Sequence, residues 1–132
     1  MEADIHGAQR KTLDSSVRPL NPNDGTMGIP LRNGSALPFV VSRTWSAPAG
    51  YYDERWFLID PSSREVLYEG PLRTEAHIWG LQSLTELRDE IRSPFPLEPG
   101  SYHIVFWLGG ALSGETEVVA AETADEGAGR AA

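Results

Sequence analysis

A chain of 132 residues is the size of one domain and is long enough to bury a sizeable core. It has no cysteine, which excludes disulfides, thiolate metal sites and cysteine nucleophiles. Eleven basic against nineteen acidic side chains, a formal charge of −8, argue against nucleic acid and anionic membranes as partners.

Residues 1–35 balance four acids against four bases and are punctuated by Pro19, Pro22, Gly25, Gly28, Pro30 and Gly34. That spacing predicts a flexible N-terminal arm. Within it Met27, Ile29 and Leu31 alternate, as a short edge strand over 27–32 would. The first twenty residues carry charges and no apolar stretch, so no secretory signal and a cytoplasmic location are expected. No apolar run is long enough to span a bilayer. Asn33-Gly34-Ser35 reads first as a turn and only formally as a glycosylation site.

From 36 to 120 the pattern is that of a β domain. Strands are predicted over 37–45, 54–60, 65–69, 72–79, 102–108 and 115–120, separated by Pro/Gly turns such as Pro48-Ala49-Gly50 and Gly70-Pro71. One short helix is predicted over about 84–92, before the penultimate strand. Ser83 and Glu86 fit a capping box, and Leu84, Leu87 and Ile91 share one helical face. Residues 121–132 hold Ala, Gly, Thr, Arg and acids, too little apolar surface to offset the entropy of ordering, so a disordered acidic tail is expected. One lysine against ten arginines, with many Ala and Gly, is the composition expected of a GC-rich bacterial genome.

Pro96-Leu97-Glu98-Pro99-Gly100-Ser101-Tyr102 stands directly before the most apolar strand. It resembles the tyrosine corner of immunoglobulin-like and fibronectin-type sandwiches, in which a Tyr opening the penultimate strand bonds its hydroxyl to backbone a few residues upstream. Trp56 resembles the central tryptophan of such folds. The resemblance covers roughly residues 36–120 and implies an all-β, immunoglobulin-like antiparallel sandwich, without the inter-sheet disulfide of antibody domains. The same run also resembles sandwich domains that recognise polysaccharide in O-antigen export transporters, but the chain has no Gly-x-x-x-x-Gly-Lys-Ser/Thr segment, and no binding residue is carried over.

In a two-sheet sandwich only one face of each sheet meets the core, so strands should alternate. Here both faces are apolar: Tyr102, Ile104, Phe106 and Leu108 on one side of their strand, Val105 and Trp107 with His103 on the other. Phe57 and Ile59 likewise oppose Trp56 and Leu58. Phe57, Ile59, Val105 and Trp107 should therefore form one outer patch. Either the predicted helix or Ile29 and Leu31 of the arm covers it, or a second copy or protein partner docks there, with Trp107 as anchor.

Chemistry is harder to find. His77 and His103 sit on predicted strands and could face one another, but no third ligand is spaced to join them, so no metal site is assigned. Gly110–Gly114 is not a Gly-x-Ser-x-Gly elbow, which removes Ser113 as a nucleophile. The pairs Asp53-Glu54 and Asp89-Glu90 are expected at solvated element ends. No catalytic residue and no cofactor are assigned. The leading expectation is a non-catalytic binding or assembly module acting as a homodimer or with a protein partner through the apolar sheet face. The alternative is a small-ligand or carbohydrate-binding sandwich using Tyr51, Tyr52 and Asp53, where aromatic rings sit beside an acid.

Overall fold

A computed structural model describes residues 9–123. In chain order it forms β1 (Lys11–Pro19), a 3-10 turn at Pro22–Asp24, β2 (Ile29–Arg32), β3 (Ser35–Ala36), β4 (Phe39–Ser46), β5 (Gly50–Ile59), β6 (Val66–Glu69), β7 (Arg73–Ile78), β8 (Thr85–Ile91), β9 (Gly100–Leu108) and β10 (Ala111–Glu122). The all-β expectation is met by two sheets. The smaller has the order β1-β4-β8, and the larger β3-β2-β10-β9-β5-β6, with β7 also on β5. The larger sheet curls as a half-barrel.

Period-two alternation explains the core. Phe39, Val41 and Trp45 of β4 face Trp56 and Leu58 of β5 and Ile104, Phe106 and Leu108 of β9, all buried. Edge-to-face pairs, Trp45 on Phe106 and Phe39 on Trp56, with ring centroids 6.5 Å apart in each, key the two layers together. Tyr102 buries its ring, and its hydroxyl donates to Glu98 O at 2.6 Å across the Pro99-Gly100 turn. Burial, reinforced by the Glu98 and Asp60 carboxylates, pushes its phenol above the ordinary range.

Three expectations are corrected. Residues predicted as the helix over 84–92 form β8, antiparallel to β4, with Phe39 opposite Ile91 and Trp45 opposite Thr85. Thr85, Leu87, Asp89 and Ile91 point inward and Glu86, Arg88 and Glu90 outward, which is a strand pattern disguised by one inward acid. Pairing with β4 overrides the helical preference of Leu, Glu and Arg. Secondly, part of the expected flexible arm is ordered: β1 pairs with β4 from Lys11↔Ser46 to Pro19↔Phe39. Ile29 and Leu31 of β2 run parallel to β10 and are buried in the core. Gly28 leads the chain into β2 and is pressed between Val17 of β1 and Val119 of β10. Its φ is +81°, its N–H donates to Val17 O at 2.7 Å, and any Cβ would overlap the Val119 carbonyl. Thirdly, of the expected tail over 121–132, Ala121 and Glu122 belong to β10, and Thr123 N–H donates to Leu31 O. Residues 124–132, like residues 1–8 with His6, lie outside the described residues.

Candidate functional site on the outer face of the larger sheet

The outer face of the larger sheet is built by register. Antiparallel pairing sets Arg55 opposite Trp107, Phe57 opposite Val105 and Ile59 opposite His103, with Val66 of β6 beside Ile59. Phe57, Ile59, Val105 and Trp107, together with Val66 and Arg64, line a depression of about 350 Å³. The four residues expected to share a patch are thus brought together. Ile59 and Val105 are nearly covered by their neighbours at 3% and 5% exposure, whereas Phe57 and Trp107 remain half-buried and Val66 is 49% exposed. Neither expected cover is on this face, because 85–91 lies in the other sheet and Ile29 and Leu31 lie between the sheets.

Charge frames the depression. Arg55 stacks over the Phe57 ring, 5.4 Å from its centroid, and pairs with Glu69 at 3.2 Å. Arg64, from the turn before β6, crosses to β10 and grips Glu115 in a fork at 2.9 and 3.1 Å. Glu115 also meets His103 Nδ1. The Arg64 guanidinium, then the His103 contact, hold the Glu115 carboxyl down at about 2. The rim therefore carries both signs around an apolar floor.

The second expected site is divided. Adjacent strand residues point to opposite faces. Tyr51 and Asp53 are exposed on the outer side of β5, while Tyr52 packs inward, donates its hydroxyl to Pro48 O at 2.6 Å and carries Arg10 over its ring. His77 and His103 do not face one another: His77 stands opposite Tyr51 and His103 opposite Ile59. Eight residues of β5 separate those positions, about 26 Å at 3.3 Å per residue. Among the described residues no group of three His, Asp or Glu is placed to hold a metal ion, and no helix is long and apolar enough to cross a membrane. A larger groove, about 730 Å³, runs between β1 and β10; Met27 and Ile29 of the expected edge strand line it, and none of the predicted interface or ligand-binding residues does. Two of its carboxylates are engaged, Asp24 with Arg32 at 3.6 Å and Glu122 with the N–H groups of Asn33 and Gly34.

Sequence reasoning missed a buried charge cluster. Glu54 and Asp89, expected in solvent, are 0% and 7% exposed. Arg43, at an inward position of β4 and 1% exposed, donates to Glu54 through Nε at 2.7 Å and Nη2 at 2.5 Å, and pairs with Asp89 through Nη1 at 2.9 Å. Both core tryptophans join it, Trp45 Nε1 to Glu54 at 2.9 Å and Trp56 Nε1 to Asp89 at 2.8 Å. Arg73 of β7 closes the cluster from the rim at 2.7 Å from Asp89. Two guanidinium groups against two carboxylates leave no net charge, and β4, β5, β7 and β8 are tied across the two sheets. Buried and paired with guanidinium and indole donors, the two carboxylates form a clasp between the sheets. Its sequence signal was a pair of opposite charges, Arg43 and Glu54, each at the inward count of an otherwise apolar strand.

No protein-family model and no curated protein matches the chain. Among solved structures it is similar to the alkylpurine DNA glycosylase AlkC of Pseudomonas fluorescens, solved bound to DNA containing an abasic site analog, with a TM-score of 0.53 and 15% identity over 86% of this chain. The chain spans only 30% of that protein, and the likeness is one of fold alone. The CARDB domain of a Pyrococcus furiosus protein, solved with di-metal ions, aligns over 86% of this chain and 97% of the domain, with a TM-score of 0.39 and 12% identity.

Proposed function

We propose that this chain is a non-catalytic assembly module, an immunoglobulin-like sandwich that associates with a second copy of itself through the outer face of β5 and β9. The observation that carries the proposal is the depression formed by Phe57, Ile59, Val105 and Trp107, which no described element of the chain covers. Fully burying a large apolar side chain stabilises by about 1.5–3 kcal/mol, so Phe57 and Trp107 leave free energy for a partner to recover. A rim holding Arg55 and Arg64 beside Glu69 and Glu115 offers both charges to a like surface. The Tyr102 hydroxyl on Glu98 O and the buried Trp56 support the immunoglobulin-like assignment. A formal charge of −8 disfavours nucleic acid as the partner.

The test is Trp107→Asp in the full chain, with Val66→Asp as a second variant at an exposed rim position. Both should remove association while the near-ultraviolet circular dichroism stays that of the parent. Association that persists in both folded variants would refute the proposal.

A further inference from the structure

Beyond its pairing with β9, β5 continues against β7, and a second surface feature stands there. Tyr51 lies directly opposite His77, the two rings stacked with centroids 4.7 Å apart and planes 21° from parallel. Trp79, two residues beyond His77, packs on the imidazole with centroids 4.0 Å apart and planes 42° apart, so the histidine ring contacts both the tyrosine and the indole. The stack is fixed from below: Tyr51 and His77 are strand residues, and Trp79 N–H donates to Thr85 Oγ1 at 3.0 Å. Yet Tyr51 is 69% and Trp79 61% exposed. Both rings touch the imidazole and keep most of their surface in water. Core packing does not require this, since Tyr52 and Ile78 fill the inward positions beside them.

The surroundings narrow what such rings would take. Asp53, on the same side of β5 as Tyr51, is exposed, and among the described residues its carboxylate meets the Glu75 N–H at 3.4 Å. Glu75 is exposed as well. Flat apolar faces thus stand beside carboxylate oxygens able to accept hydroxyl hydrogens. Nucleotides also stack on aromatic rings, but their phosphates are repelled here by both acids and by the formal charge of −8. An organic cation is held best over ring faces it can desolvate, and the Tyr51 and Trp79 rings are largely open to water. A neutral sugar ring matches both halves, with a C–H face for the aromatic plane and hydroxyl donors for the acids.

We infer that the Tyr51–His77–Trp79 stack with Asp53 is a binding platform for the neutral sugar residues of an oligosaccharide or polysaccharide. It is independent of the association face, since it occupies the other half of β5. The histidine positions the two outer rings, and the preformed stack binds without ordering loops.

The test is affinity electrophoresis of the full chain through gels containing soluble β-glucan, glucomannan, xylan, galactan or glycol chitin. Tryptophan fluorescence titrations with cellohexaose and chitohexaose accompany it. At least one probe should retard the protein. Tyr51→Ala and Trp79→Ala should each weaken that binding roughly 3–10-fold, the loss of one ring contact. These are exposed side chains, so the variants keep their circular dichroism. Failure of every probe to bind overturns the inference. So does binding that survives both ring substitutions, or ring-dependent binding of spermine or a tetra-arginine peptide alone.

Discussion

Replacing Glu54 by Gln perturbs the clasp without changing its shape. The native carboxylate accepts Arg43 Nε, Arg43 Nη2 and Trp45 Nε1 and is wholly buried. In Glu54→Gln one amide oxygen can still serve Trp45, but the amide NH2 then faces a guanidinium that can only donate. Removing one partner of a buried ion pair costs about 3–5 kcal/mol. Asp89 still accepts from Arg43 Nη1, so the lower end of that range, about 3 kcal/mol, is expected. Over the described residues 9–123, an unfolding entropy of about 2.1 cal/mol/K per residue converts this to a Tm lowered by roughly 12 °C. Urea unfolding followed by tryptophan emission measures it, because Trp45 and Trp56 both lie in the cluster. The double variant Arg43→Met/Glu54→Gln completes a cycle and should be less destabilised than the sum of the single changes. A Glu54→Gln protein within about 1 kcal/mol of the parent, or strict additivity in the cycle, would refute the idea that the buried charges act as one unit.

Two further outcomes are expected. Tyr102→Phe removes the hydroxyl bond to Glu98 O while keeping the buried ring, and should cost about 0.5–1.5 kcal/mol in urea unfolding; no loss would show the corner contact to be incidental. Glu115, held at about 2 against an ordinary 4.5, contributes stability that is complete above pH 4.5 and is lost as pH falls toward 2. Glu115→Gln should therefore flatten the decline of the urea midpoint across that window, and an unchanged decline would contradict the Arg64 and His103 contacts.

What could be read from the residues followed from how regular each strand is. β9, with Tyr102, Ile104, Phe106 and Leu108 inward and Val105 and Trp107 outward, announces both a core strand and an apolar outer face, and its register with β5 assembles the patch. β1 was illegible because Val17 and Pro19 are its only buried residues. Backbone pairing with β4 rather than an apolar stripe holds it. β8 misled because Asp89 interrupts its inward row, and the leucines left over fall at helical spacing. That acid is inward only because Arg43, 46 positions away in the chain, and Trp56, 33 positions away, meet it there. Long-range charge pairing leaves only a charge at an inward position, with nothing local to name its partner. The same cause hid Glu54 beside Asp53 in a pair that looked solvated. Tyr51 and Tyr52 failed as a pair for a local reason, since neighbours on a strand face opposite ways.

The most direct measurement of the central claim is the solution mass of the full chain by light scattering across a dilution series. An association surface on β5 and β9 predicts a mass of two chains that falls toward one on dilution, with Trp107→Asp at the mass of one chain throughout. A parent protein at the mass of one chain at every concentration would contradict it.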